Sequence, residues 1–241
     1  MSRNKEISEE KNLPSEEDKN KELIKELGLL SVGTDFESDV QYINIIGSVE
    51  GHMVLPADNK TTKYEHLIPQ LVAVEENPKL KGLLVILNTV GGDVEAGLAL
   101  AEMISTLSKP TVSLVLGGGH SIGIPLATST DYSFIAETAT MTLHPIRTNG
   151  LVITAETTFD YLRKTQDRVI RFIETHSKAD RETITRLMNR TDNMPNDVGT
   201  ILFGHEEMCI RDRNYILDGM SGFLAFWMPE PDLRKTEPAT L

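Results

Sequence analysis

Ser121 lies in Gly117-Gly118-Gly119-His120-Ser121-Ile122-Gly123, between an apolar run and a helical one. A serine at such a turn is either a helix cap, its Oγ accepting a backbone N–H, or a nucleophile. The glycines favour access, because they let the backbone turn sharply and let another chain approach. The N–H that follows, that of Ile122, can then point at a developing oxyanion, and the helix dipole favours the same negative charge. Gly91-Gly92 follows a second apolar run. It is either a plain helix-entry turn or a second oxyanion donor, since an N–H unshielded by Cβ reaches a substrate carbonyl. His144 stands in Met141-Thr142-Leu143-His144-Pro145. Pro145 biases His144 to extended backbone, so the ring projects sideways from a strand end. A lone histidine there is more often structural. Beside a nucleophilic serine it is the usual base, with a pKa near neutrality. Together the three imply acyl transfer.

The elements around them are those of an α/β domain. Tyr42–Ile46 reads as a first strand closed by Gly47-Ser48, and Lys63–Val74 has helical spacing that Asn77-Pro78 ends. Leu83–Leu87 is a continuous apolar run, which suits a strand buried on both faces of a parallel sheet. A helix over Ala96–Leu107, a strand over Thr111–Leu116, a turn at Gly117–Gly119 and a helix from Ser121 follow. Tyr132–Ala136 and Ala139–Leu143 read as two short strands, Thr157–His176 as a long amphipathic helix and Ala179–Asn189 as a second helix. Strands alternating with helices through Gly-rich turns give an α/β fold. In such folds ligands bind at the carboxyl ends of strands, where all three motifs lie.

Composition excludes several functions. The 241 residues carry 24 Lys+Arg against 36 Asp+Glu, a net charge of −12, which argues against nucleic acid as a partner. Cys209 is the one cysteine, so neither an intrachain disulfide nor a Cys-based metal cluster can form. Gly117–Gly119 is not a phosphate loop, because no Gly-Lys-Ser/Thr follows. No apolar run approaches the roughly 20 residues that span a bilayer, and the N-terminus lacks the apolar stretch of a signal peptide. The expectation is a soluble, cytoplasmic protein with no metal and no cofactor. About half of the first 27 residues are charged, so residues 1–35 read as a solvated tail. Within it Lys21–Leu27 has the pattern of a short amphipathic helix for a partner.

These residues resemble a known family, the ClpP-type serine peptidases (peptidase S14). Asn88–Gly97 is similar to their glycine-pair loop, Gly119–Gly123 to their nucleophile turn and Leu143-His144-Pro145 to their histidine segment. The spacing between the three agrees, and the resemblance runs from about Gln41 to Gly204. Gly118–Gly123, Tyr132–Met141 and Asp197–Thr200 resemble a ClpP-like, translocation-enhancing (Tep-type) branch of that family in spore-forming Firmicutes. The resemblance implies a ClpP/crotonase-like spiral of ββα units with a protruding helical handle, over residues 36–207. It implies Ser121 as nucleophile, His144 as base, and the Gly92 and Ile122 amides as the oxyanion hole. A carboxylate should accept the Nδ1–H of His144. Asp197 is the choice and Asp192 the alternative, because gap placement between Arg190 and Gly199 is ambiguous; either also reads as a loop carboxylate capping a turn. His120, beside the serine, either tunes it or has a turn role, the second being the commoner for such a residue.

The implied function is a serine endopeptidase acting through a Ser-His-Asp acyl-enzyme on peptides or unfolded proteins. It would be ATP-independent or weakly ATPase-coupled, linked to protein export, and assembled as a homo-oligomeric ring. The tail does not resemble the axial loops that dock an unfoldase ATPase. Val90 stands where the family commonly has Pro, and Ile122 where it has Met. Met208–Arg213 resembles translated library-adapter sequence, so residues 208–241 are read as an atypical segment of non-native origin, which resequencing the gene decides. The rival from another class is a catalytically silent scaffold of the same fold. An α/β-hydrolase elbow fits the serine turn but expects the histidine after the acid. A crotonase-type acyl-CoA enzyme needs no Ser–His pair, and a Ser–Lys peptidase lacks its lysine near His144.

Overall fold

The computed structural model describes residues 38–147, 154–194, 197–204 and 214–216. The charged tail and most of the 208–241 segment lie outside these residues, as do residues 148–153 of the expected handle region.

Among the described residues a parallel sheet runs in the order β2-β1-β3-β4-β5-β8. Its strands are β1 (Val40–Glu50), β2 (Thr61–Lys63), β3 (Gly82–Gly92), β4 (Thr111–Gly119), β5 (Tyr132–Ile135) and β8 (Asn214–Ile216). β8 falls inside the stretch expected to be foreign and pairs with β5. A second, antiparallel ribbon is made by β6 (Thr140–Leu143) and β7 (Thr200–Phe203), and it meets β4 at one registered pair, Gly118 with Thr140.

The continuous apolar runs explain the parallel sheet. Leu83, Val85 and Leu87 of β3, and Val112, Leu114 and Val115 of β4, are all buried. Helices pack against the sheet. These are α1 (Tyr64–Glu76), α2 (Val94–Ser105), α3 (Gly123–Thr128), α4 (Ala155–His176) and α5 (Arg181–Met188). Leu71, Leu100, Ile104, Ile124, Leu126 and Ile173 from these helices pack with Ile43, Ile45 and the β3 side chains into one core. A smaller cluster of Val112, Leu114 and Phe134 is separate. Caps fix the helix starts: Asp93 accepts from Ala96 N–H, Thr154 from Thr157 N–H and Asp180 from Thr183 N–H. The buried residues of α4 begin only at Thr165, so its first turns lie open, with Phe159 and Tyr161 exposed.

Two expectations are corrected. β1 does not close at Gly47-Ser48; a bulge there re-registers it and it continues to Glu50. Gly117–Gly119 is not a turn but the extended end of β4, where Gly119 pairs with Thr89 and Gly118 with Thr140. The glycines serve close packing. A Cβ on Gly117 would lie 2.6 Å from Asn88 Oδ1, and one on Gly118 would lie 2.6 Å from His120 Nε2. The turn itself is confined to His120–Ile122.

Candidate functional site

The end of β4 delivers Ser121 in a conformation that side chains avoid. Its φ is +57°, and among the described residues it is the one non-glycine with positive φ. A left-handed serine costs about 1–2 kcal/mol, so surrounding bonds must hold it. They do. His120 N–H donates to Thr89 O at 3.1 Å, Ser121 N–H to Thr142 O at 2.8 Å, and Gly123 N–H to His120 O at 2.9 Å. This is the sharp strand-to-helix elbow that presents an Oγ above a sheet.

β3 brings the glycine pair against that elbow. A Cβ on Gly91 would lie 2.7 Å from Ser121 Cβ, and one on Gly92 would lie 2.2 Å from Val49 O. Only glycine fits either position, and φ of +94° and +149° adds the same demand. Thr89 Oγ1 fixes the approach by accepting from Gly91 N–H at 3.0 Å and donating to Gly47 O at 2.6 Å.

Ser121, His144, Gly92 and Ile122 line one cavity, together with Val94, Leu143, Ile146 and Arg147. The four residues expected for nucleophile, base and oxyanion hole are therefore brought together. The Ile122 N–H has no hydrogen-bond partner among the described residues. A second recess shares Val94, Ile146 and Arg147 and continues past Asp93 and Glu95 to Tyr161 and Leu162 of α4.

The acid is where expectation and structure part. His144 Nδ1 lies 2.7 Å from Pro145 O. A carbonyl only accepts, so Nδ1 carries the proton and Nε2 is left for a base's work. The proton that a carboxylate was expected to take is thus held by the backbone. Asp197 Oδ2 instead accepts from Arg147 Nη2 at 2.7 Å, and Oδ1 from Val198 N–H at 2.8 Å. The Val198 N–H holds its carboxyl below the ordinary value against partial desolvation, with the charges of Arg147 and His144 acting in the same direction. Asp197 is therefore engaged away from His144. Asp192 is turned to Arg190, at 3.0 and 3.1 Å, and its carboxylate is exposed.

Arg147 and Thr142 are site residues that the sequence reading did not single out. The one available signal for Arg147 was a cation three residues after the candidate base. Among the described residues no group of three or more His, Cys, Asp or Glu is placed to hold a metal.

A profile of the Clp protease family matches residues 37–198. The chain belongs to the Clp protease family. This family member is 58% identical over 183 residues to the translocation-enhancing protein TepA of Halalkalibacterium halodurans, covering 76% of this chain and 72% of that one. It is 26% identical over 144 residues to the ATP-dependent Clp protease proteolytic subunit of Leuconostoc citreum, covering 57% of this chain and 72% of that one. Its fold is similar to that of a ClpP1 mutant from Listeria monocytogenes, with a TM-score of 0.51 at 18% identity over 62% of this chain and 79% of that chain. The α/β spiral expected from the resemblance is thus the fold of this Clp protease family member. No described helix is long and apolar enough to cross a membrane.

Proposed function

We propose that this chain is a serine endopeptidase that hydrolyses peptide bonds through an acyl-enzyme on Ser121. The observation that carries the reading is the strained Ser121 elbow, sharing one cavity with His144, Gly92 and Ile122. In this scheme Ser121 Oγ attacks the scissile carbonyl carbon while His144 Nε2 takes its proton. The amides of Gly92 and Ile122 stabilise the oxyanion. His144 returns the proton to the leaving amine, and water repeats the sequence to free Ser121. Asp197 becomes the orienting acid by leaving Arg147 and accepting from His144 Nδ1 in place of Pro145 O. Substrates are peptides or unfolded proteins. The chain works as a homo-oligomeric ring in the cytoplasm, with little or no dependence on an ATPase. Its likeness to a protein named translocation-enhancing supports a link to protein export.

A second reading has its own support. With Asp197 on Arg147, no carboxylate among the described residues orients His144. A scaffold of the same fold that binds peptides or export partners without cleaving them needs nothing more.

Covalent labelling with a fluorophosphonate on the assembled oligomer, its mass checked first, separates the two. The peptidase reading expects mass spectrometry to place the adduct on Ser121, and expects it to vanish in Ser121→Ala and His144→Ala. An assembled oligomer that refuses the probe overturns that reading, and full export-linked function in Ser121→Ala establishes the scaffold.

A further inference from the structure

Ser121 and His144 reside on different pieces of structure. Ser121 follows β4 of the parallel sheet, and His144 follows β6 of the antiparallel ribbon. The ladder between β4 and β6 has one registered pair, Gly118 with Thr140. One pair fixes a point of contact, and Met141 and Leu143 of β6 pack into the core, but apolar packing is non-directional, so a directional contact must set the angle from nucleophile to base.

Thr142 does this from both ends of one residue. Its carbonyl accepts the Ser121 N–H at 2.8 Å, and its Oγ1 lies 2.8 Å from His120 Nδ1. The first bond is available to any residue at position 142. The second depends on sequence, since it needs a hydroxyl and an imidazole. The His120 ring is seated by the absence of a side chain at Gly118, whose Cβ would lie 2.6 Å from Nε2 and 2.9 Å from Cδ2. Its backbone is pinned to β3 through Thr89 O. Three strands therefore meet at His120: β3 at its backbone N–H, β6 at its ring through Thr142, two residues before His144, and β4, whose end it follows one residue before Ser121.

We propose that His120 and Thr142 are positioning residues, a side-chain clip that sets the spacing and angle between the Ser121 elbow and the His144 strand. Neither touches the reacting atoms. The inference rests on the reading of Ser121 as nucleophile and adds what aligns it. A second histidine beside the base is tolerable because burial, with the charge of His144 acting in the same direction, holds His120 toward its neutral form. It does not repel the imidazolium that His144 becomes during acylation.

The test is a cycle of Thr142→Val, His120→Ala and the double variant in the assembled full-length oligomer. The readouts are the maximal rate of fluorophosphonate labelling at saturation, the half-saturating concentration, and Tm. Losing one oriented hydrogen bond should slow the maximal rate about tenfold. The half-saturating concentration should stay put, because no contact with the probe is removed. Thr142→Ser should restore the rate, and the double variant should be no slower than either single one, since both break the same bond. Thr142→Val labelling at the wild-type rate overturns the clip, as does an additive double variant. So does a rate loss that follows Tm across all variants and is not rescued by serine, which would mark a purely structural bond. Failure of the wild-type oligomer to label at all overturns the peptidase reading first and the clip with it. Labelling of wild type that is indifferent to Thr142→Val overturns the clip alone.

Discussion

Asp197 is bound through Oδ2 at 2.7 Å to Arg147, which lines the same cavity as His144. The proposed acid is thereby withheld from the proposed base. Arg147→Gln removes the competitor, so labelling of Ser121 should accelerate on the order of tenfold, the worth of one charge-assisted hydrogen bond. In an Asp197→Asn background the acceleration should be absent. If Arg147→Gln slows labelling instead, Arg147 supports the site and Asp197 is not the acid.

The conformation of Ser121 separates its chemistry from its stability. Alanine keeps the left-handed strain, while glycine releases it at some cost in unfolded-chain entropy. Ser121→Gly should therefore be more stable than Ser121→Ala by about 1 kcal/mol, with labelling lost in both. Thermal melts of the pair measure this. Equal stability would mean that the elbow relaxes once the hydroxyl is gone.

Gly97 of α2 gives a handle on the proposed oxyanion amide, that of Ile122. A Cβ there would lie 2.3 Å from Ile122 Cγ1, and Ile122 is 2% exposed, so it has little room to retreat. Gly97→Ala should cost about 1–3 kcal/mol by overpacking and should slow labelling by displacing the Ile122 N–H. In an Ile122→Ala chain the same substitution should be nearly neutral. Urea melts of the four chains decide it, and additive losses would show that the two side chains do not meet.

His120 should make the protein sensitive to acid. Burial lowers its pKa from the ordinary 6.5, with the charge of His144 adding to this. The unfolded chain therefore takes up the proton at a higher pH than the folded one. This stabilisation is complete above the ordinary value and is lost as pH falls through it toward the folded value. Melts across that window should show wild type losing Tm toward acid more steeply than His120→Asn. Parallel curves would place His120 outside the titration.

The parts of the site carried by local sequence were legible: a serine flanked by glycine, a glycine pair after an apolar strand, a histidine fixed by proline. All are short-range patterns, and the fold places them in one cavity. The buried strands were legible in part: β4 is buried on both faces as a continuous apolar run predicts, whereas β3 buries Leu83, Val85 and Leu87 and leaves Leu84 and Ile86 half-buried. Gly117–Gly119 misled because glycine signals both a turn and a close approach, and here Asn88 and His120, from outside the run, decide for the second. The partner of His144 Nδ1 was illegible for a similar reason. The Pro145 carbonyl competes with Asp197 for the Nδ1–H, Arg147 competes with His144 for Asp197, and a loop carboxylate at Asp197 looks the same in sequence whichever partner it takes.

The ribbon that carries His144 is tied to α5 by Thr200 Oγ1, which donates to Leu187 O at 2.6 Å. Ser121 and the His144 ribbon are thus joined by a few directional bonds and by Met141, Leu143 and Leu202, which the ribbon sinks into the same core as β3 and the helices. The contacts that hold His144 in place are therefore the same contacts that hold the fold together.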